Sequence, residues 1–349
     1  MPAVLTIAIP TYNRAAKLQA QLERLAPQLT AAAHCVVYDN ASTDGTREVV
    51  AKFAAQKIGY VCAPVNGGGG RNFLRCYEEC STEWLWLLSD DDPISARAVA
   101  DLLRLIQDCP ADFIHTASPL CPHTAEVVVA EVPSLLRQDT VGALLWISTG
   151  VYRCHAFRPL LRHYAESISS WGPQMVMVLK LLEEQRGKVL ITQTRLITDS
   201  PYEAPRWSTL DFISRFSQLP GYLLVPGDQA LLAQLIADEC YQRMLLVGLR
   251  ELDTPEKIRR WQRVRRQVGF HLRAFGAQPP LWTVIRKNEW RRAGRRKQSL
   301  LVLQQSLLLL VLSVCPTTWF RFVLRRLPKP GWLEELLHPR TNLTLVPEL

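Results

Sequence analysis

Short apolar runs alternate with segments whose apolar positions recur every three or four residues over the first 118 residues. The runs at 4–9, 35–38, 58–62, 84–88 and 112–116 read as strands, and 15–26, 43–55, 71–80 and 95–108 as helices. This β-α-β-α order predicts an α/β fold with a mainly parallel sheet, right-handed crossovers and flanking helices. Residues 119–200 are mixed: 127–132 reads as an edge strand, 173–186 as a helix entered through Gly172-Pro173, and 188–198 as a late strand. Beyond Trp207 the pattern is almost wholly helical, with breaks at Pro220-Gly221, Pro226-Gly227, Pro279-Pro280 and Pro316. The expected division is a first domain over 1–205, in halves 1–118 and 119–205, and a helical region over 206–349.

The apolar run at 84–88 ends abruptly in Ser89-Asp90-Asp91-Asp92-Pro93. Strands buried on both faces are near-continuous apolar runs, and ligands of open α/β sheets sit at the carboxyl ends of such strands. Three adjacent carboxylates repel one another unless a cation neutralises them, and hard oxygen ligands suit Mg²⁺ or Mn²⁺. The alternative is an acidic helix start, with Asp92 or Ser95 as the cap and Pro93 near the first turn.

The other strand ends are polar too. Pro10-Thr11-Tyr12-Asn13-Arg14 follows the first, Asp39-Asn40-Ala41-Ser42-Thr43-Asp44-Gly45-Thr46 the second, and Asn66-Gly67-Gly68-Gly69-Gly70-Arg71-Asn72 the third. Four polar strand ends on one rim describe a nucleotide cleft better than four unrelated turns. The glycine run is not a dinucleotide fingerprint: counted from Gly67 or Gly68, the last glycine of G-x-G-x-x-G falls on Asn72 or Phe73. Close approach of backbone to a ligand, with Arg71 as a permanent cation for a diphosphate, is the simpler role.

The stretches 6–14 and 36–46 and the Asp triplet, in this order and spacing, resemble the family 2 glycosyltransferases, over roughly 4–108 and more weakly to about 200. The resemblance implies a GT-A fold, inverting transfer from a nucleotide-diphosphate sugar, and a divalent cation, Mn²⁺ or Mg²⁺. Carried onto this chain it places Pro10, Thr11, Tyr12, Arg14, Asp39, Asn66, Gly68, Arg71, Asp90 and Asp91 at the nucleotide. Thr11 and Asp39 would meet the base, Arg71 the base or diphosphate, and Asp90 the ribose. Asp92, with Asp90, would hold the metal. The triplet and the short glycine loop look closest to O-antigen or capsule enzymes of the abequosyl- or rhamnosyltransferase kind. The Glu-Asp pair that opens a later helix in the family and normally supplies the catalytic base is absent, the corresponding stretch reading Ser169-Ser170-Trp171-Gly172-Pro173-Gln174.

Inversion needs a base that takes the acceptor hydroxyl proton. Glu166, just before this segment, is the first candidate and Asp199 the second, followed by Glu203, His155 and His163. Each is otherwise an ordinary solvated residue. Trp171 is a candidate platform for an acceptor sugar or, equally, a core anchor, and Gly150-Val151-Tyr152-Arg153 is assigned to the acceptor side.

Charge adds a second theme. The net charge is +9, yet from Tyr241 onward there are 21 Lys/Arg against 7 Asp/Glu. Seven cations crowd into 286–297, and 298–320 then runs 23 residues without a charge. Ser299, Ser306 and Ser313 with Gln298 and Gln305 make a polar stripe, so an in-plane amphipathic helix is preferred to a span. At roughly 1 kcal/mol per cation near an anionic leaflet, the segment 286–326 is expected to bind an anionic membrane surface. Packing of 300–314 within the chain or in a homo-oligomer is the other use of its leucines. No nucleic-acid motif accompanies the charge. The nine cysteines form no CxxC pair, the hydrophobic content of 48% excludes disorder, and 1–10 lacks the features of a signal peptide. The expected setting is cytoplasmic, peripheral to the cytosolic face of the inner membrane, with a lipid-linked or oligosaccharide acceptor. Direct transfer to a polyprenyl phosphate and non-catalytic nucleotide-sugar binding are the competing functions.

Overall fold

The structure is a computed structural model that describes residues 3–56, 58–118, 121–138, 142–198, 208–250 and 255–277. The expectations for Asp199, Glu203, 286–326 and 298–320 lie outside the described residues. The chain divides into two compact units, Met1–Tyr202 and Glu203–Leu349.

The first unit is built on an eight-stranded sheet: β1 Leu5–Thr11, β2 Ala33–Asp39, β3 Gly59–Cys62, β4 Trp84–Leu87, β5 Phe113–Ala117, β6 Val127–Val129, β7 Gly150–Arg153 and β8 Val189–Arg195. The spatial order is β3-β2-β1-β4-β7-β5-β8-β6. Pairs β1–β2, β1–β4, β2–β3 and β5–β8 are parallel, whereas β7 and β6 run against their neighbours. Every residue of β1 and β4 is buried, as expected for central strands covered on both faces. The register sets Thr11 beside Asp39 and Ala8 beside Leu87, so the polar ends of β1, β2 and β4 share one rim.

Helices α1 Ala15–Leu25, α2 Thr46–Ala51, α3 Gly69–Glu78, α4 Ala98–Ile106, α5 Val132–Leu136, α6 Cys154–Phe157, α7 Leu161–Ser167 and α8 Pro173–Glu184 flank the sheet. On one side Leu18, Leu22 and Leu25 of α1 pack with Val99, Leu102 and Ile106 of α4 against Ile7, Ile9, Trp84 and Trp86. Elsewhere Tyr152 meets Tyr77, Phe113 and Phe157 at centroid distances of 4.9–5.0 Å. Residues 173–182 of α8 are all buried, Lys180 included, whose ammonium is held by Glu183 at 2.9 Å and Glu184 at 3.3 Å.

Two expectations change. Residues 150–153, assigned to the acceptor side, form β7, an antiparallel strand inserted between β4 and β5. Gly150 is required there, because a Cβ would stand 2.7 Å from the Tyr152 hydroxyl and 3.0 Å from the Phe113 ring. Pro226-Gly227 opens a helix and does not break one. Among the described residues, the second unit contributes the α-helices α9 Thr209–Phe216, α10 Pro226–Arg250 and α11 Pro255–Ala274. Its core gathers Phe212, Ile213 and Phe216 of α9, Leu232, Ile236 and Cys240 of α10, and Trp261, Val264, Val268 and Leu272 of α11. Among the described residues no helix is long and apolar enough to cross a membrane.

His115 of β5 is fully buried, between the Thr149 hydroxyl at 3.2 Å from Nε2 and His123, whose Nε2 lies 2.8 Å from His115 Nδ1. Burial, and then the neighbouring His123, pull its pKa from 6.5 down to about 3. A base so depressed is neutral in the fold but takes a proton when unfolded, so its contribution is intact above about 6.5 and is lost as pH falls toward 3. By pH 4.5 the loss is on the order of 2–3 kcal/mol. We expect the His115→Asn variant to show a flatter decline in urea midpoint between pH 7 and 4.5 than the native chain; parallel declines would refute the assignment.

Candidate functional site

A cleft of about 300 Å³ opens at the carboxyl rim of the sheet, lined by residues from all four polar strand ends: Pro10, Thr11, Tyr12 and Arg14; Asn40; Asn66, Gly68, Gly69, Asn72 and Phe73; Ser89 and Asp90; and Ile147. The loops reach one another through side chains. The Asn13 amide donates to Ser42 Oγ at 2.8 Å, and the Thr43 amide donates to Asn13 Oδ1 at 2.8 Å. The Asp44 carboxylate accepts from the Ala15 amide and from the amide and hydroxyl of Thr46. Asn13 and Ala41 both take left-handed backbone, at φ 52° and 63°, to make these turns.

Asn40 pins the glycine loop. Its Nδ2 donates to Asn66 Oδ1 at 2.7 Å, its Oδ1 accepts from the Gly67 amide at 3.0 Å, and Asn66 Oδ1 also accepts from the Gly68 amide. Gly68 sits at φ +84°, a conformation that leaves the loop to glycine. Asn72 Nδ2 donates to the Tyr38 carbonyl at 2.7 Å, tying the first turn of α3 to the end of β2.

The acidic triplet is built into the fold one residue at a time. Asp90, 2% exposed, accepts from Thr11 Oγ1 at 2.7 Å on Oδ2 and from Arg14 at 2.6 Å on Oδ1. Burial pushes its carboxyl up to about 6, against the opposing pull of Arg14. Asp91 accepts from the Ser89 hydroxyl at 2.5 Å and from Arg14, with Lys17 at 3.5 Å. Its burial is outweighed by the Ser89 hydroxyl and by Arg14, which hold its carboxyl below the ordinary range. Asp92 Oδ2 accepts from Trp146 Nε1 at 2.6 Å and from Ser148 Oγ at 2.5 Å, while Oδ1 accepts nothing among the described residues. Burial raises this carboxyl to about 6 in spite of those two donors. Gln21 of α1 clamps the turn from below, donating to the Ser89 and Asp92 carbonyls at 3.1 and 2.6 Å.

Of the expected nucleotide residues, Pro10, Thr11, Tyr12, Arg14, Asn66, Gly68 and Asp90 line the cleft. Asp39 does not: buried, it accepts from the Ser42 amide and hydroxyl on Oδ1 and from the Tyr60 hydroxyl at 2.6 Å on Oδ2. Arg71 also lies outside the lining, half exposed and 3.9 Å from Glu78. Glu166 is 63% exposed near the end of α7, with His163 Nδ1 at 3.4 Å. Trp171, 38% exposed and at φ 66°, follows the same turn. That turn abuts the glycine loop, since a Cβ on Gly70 would meet Ile168 Cγ1 at 2.7 Å. Gln174, where an acid was sought, is buried and donates to the Leu145 carbonyl at 2.9 Å. Trp146, Ser148 and Ile147 carry no local signal. They reach the triplet only because the 3₁₀ turn before β7 passes beneath it, with the Ser89 amide donating to Ser148 Oγ and Trp86 Nε1 to the Ser148 carbonyl.

Residues 6–125 match the family described as glycosyl transferase family 2. Among characterised relatives, the abequosyltransferase RfbV of Salmonella typhimurium is 31% identical over 115 residues, covering 32% of this chain and 34% of that one. Validoxylamine A glucosyltransferase of Streptomyces hygroscopicus subsp. jinggangensis is 40% identical over 79 residues, 20% of this chain and 19% of its own. The match thus spans about a third or less of each relative's length. Among solved structures, S. aureus TarS 1–349 superposes with a TM-score of 0.57 at 17% identity, covering 78% of this chain and 81% of that one. The same protein in complex with UDP-GlcNAc gives 0.55 at 17% identity, covering 79% and 84%. Residues 6–125 therefore resemble a family 2 glycosyltransferase domain, on a mainly parallel sheet whose fold is similar to that of TarS.

Proposed function

We propose that the chain is an inverting glycosyltransferase that moves a hexosyl or deoxyhexosyl group from a nucleotide-diphosphate sugar to a lipid-linked or oligosaccharide acceptor in bacterial surface polysaccharide synthesis. One observation carries the reading: four strand ends converge on a single cleft in which Thr11 and Arg14 hold Asp90 in place. The abequosyltransferase likeness supports a polysaccharide setting, and the UDP-GlcNAc bound by TarS makes a uridine donor the first to test.

Within the cleft, the backbone at Gly68 and Gly69 lets a ligand approach closely, and Arg14 supplies positive charge beside Asp90. A divalent cation, Mn²⁺ or Mg²⁺, fits the hard-oxygen donor set at Asp92, whose Oδ1 stays open while Oδ2 is fixed by Trp146 and Ser148. Asp90, expected beside Asp92 as a metal ligand, has both oxygens engaged by Thr11 and Arg14. Among the described residues, three or more His, Cys, Asp or Glu side chains nowhere converge as a metal site, so Asp92 would share the ion with the donor's diphosphate. Bound there, the cation would offset charge on the leaving diphosphate. Glu166 is the proposed base, with Asp199 second, and Trp171 the acceptor platform; the packing of Ile168 on the glycine loop supports a place at the cleft mouth for Glu166 and Trp171.

Calorimetry of the full chain with UDP, dTDP, GDP and CDP, each with and without Mn²⁺, tests this reading. We expect Mn²⁺-dependent binding of one nucleotide; failure of all four to bind would remove the donor site and the transferase with it.

A further inference from the structure

Helix α11 turns two very different faces outward and inward. Trp261, Val264, Val268 and Leu272 are buried in the second unit. On the outer side stand Arg259, Arg263, Arg266, Phe270 and Arg273, all exposed, at spacings of four, three, four and three residues. At 3.6 residues per turn these five fall within an arc of about 80° and span about 21 Å. Phe270 is 72% exposed, the most open of the large apolar side chains in the described residues. The neighbouring cation Arg260, off this stripe, is held by Asp211 at 2.7 Å. Arg259, Arg263, Arg266 and Arg273 reach no carboxylate among the described residues; Arg273 Nε donates to the Gly269 carbonyl at 2.8 Å. The acid within α11 itself is Glu256, exposed at the helix start.

A solvated charged face needs neither four arginines without acids between them nor a large aromatic in their midst. Four guanidinium groups on one line, each able to fork onto phosphate oxygens, match a surface of closely spaced phosphates. Phe270 distinguishes among such surfaces. An apolar ring gains from leaving water below a layer of headgroups, and a helix lying flat at an interface combines cations with an apolar anchor in this way. Leu224 and Val225, 68% and 49% exposed, belong to the same unit, just before α10. The first turn of α10 and the end of α11 are close, with Ala230 Cβ 3.9 Å from where a Cβ on Gly276 would stand.

We propose that the outer face of α11 is a docking surface for an anionic lipid bilayer, its arginines on headgroup phosphates and Phe270 seated among the acyl chains. This surface is formed by a helix of the described residues, is distinct in sequence from the basic stretch at 286–297, and does not depend on the transferase reading.

The test is co-sedimentation of the full chain with vesicles of pure phosphatidylcholine, or of phosphatidylcholine and phosphatidylglycerol at 7:3. The native chain is compared with an Arg259→Glu, Arg263→Glu, Arg266→Glu triple variant and with Phe270→Ala. Each cation at an anionic leaflet is worth about fivefold in partitioning, so the triple variant should bind the mixed vesicles at least about a hundredfold more weakly. Phe270→Ala should weaken binding about tenfold and leave its salt dependence unchanged. Nucleotide binding and circular dichroism should match the native chain in both variants, because the substituted side chains are exposed. Equal binding of native and triple-variant protein to mixed vesicles would overturn the proposal, as would equal binding of the native chain to both vesicle types. Tighter binding of the native chain to random-sequence duplex DNA than to mixed vesicles would overturn it in favour of a nucleic-acid partner.

Discussion

Asp92→Ala is expected to lower kcat/KM for sugar transfer by a factor of about 10²–10³, the usual consequence of removing one preorganised electrostatic contact to a developing charge. Such a loss is informative only if the fold survives, and two opposing effects decide that. The substitution leaves Trp146 Nε1 and Ser148 Oγ without their acceptor, at about 1–3 kcal/mol for each group that stays dry. Trp146 is only half-buried, and the Ser148 hydroxyl can turn, so the lower end applies. Against this, the carboxyl stands at about 6 instead of 3.8, so its ionised form is disfavoured in the fold. An acid raised in this way contributes less stability as pH climbs from about 3.8 to about 6 and is level above that, a difference of roughly 3 kcal/mol. Removing the charge recovers much of what the two donors lose. The urea midpoint at pH 7.5 should therefore move little while transfer and Mn²⁺-dependent nucleotide binding collapse. Asp92→Asn sharpens the comparison. Its amide oxygen still accepts from Trp146 and Ser148, yet it is a poor cation ligand, so it should be as inactive as the alanine variant. Normal transfer by Asp92→Asn would show that the residue holds the 146–148 turn and not an ion.

Local features were readable in the sequence and long-range ones were not. The buried run of β4 and the Asp triplet that ends it are contiguous, and the alternation of strands and helices to residue 118 fixes four polar ends on one rim. At the level of single side chains, direction governs. Asp39 and Asn40 are neighbours at the end of β2, where successive residues face opposite ways. Asp39 accordingly turns to Ser42 and Tyr60, while Asn40 faces the glycine loop and the cleft. Arg71 and Asn72 differ by 100° around α3. The arginine consequently points toward Glu78, and Asn72 and Phe73 line the cleft. Trp146 and Ser148 lie 54 and 56 residues from Asp92, and only β7 brings them back. Antiparallel to both of its neighbours, β7 falls outside the strand–helix alternation that made the first five strands visible.

Arg14→Ala is expected to cost most of the nucleotide affinity while costing the fold far less than loss of a buried partner usually does. Its guanidinium bridges Asp90 and Asp91, with Asp90 2% exposed, and breaking a buried ion pair from one side costs about 3–5 kcal/mol when the orphaned charge has no escape. Asp90 has one. Its carboxyl already stands at about 6 with Arg14 present and would rise further without it, so taking up a proton at pH 7 costs only about 1 kcal/mol. The Thr11 hydroxyl remains on the other oxygen. Destabilisation should therefore be about 1–2 kcal/mol at pH 7 and should shrink as pH falls through 6, because the variant then binds its proton without cost. Function has no such escape. A protonated Asp90 presents a neutral group, and the cleft loses the one cation that lines it among the described residues. We expect nucleotide affinity to fall by at least about tenfold, the equivalent of one charge-assisted hydrogen bond. Arg14→Lys separates charge from shape: an ammonium can meet Asp90 or Asp91 but cannot fork between them. It should recover most of the stability and only part of the affinity. A lysine variant with full affinity would reduce the role of Arg14 to charge alone, and an alanine variant that binds nucleotide normally would place the donor phosphates elsewhere on the rim.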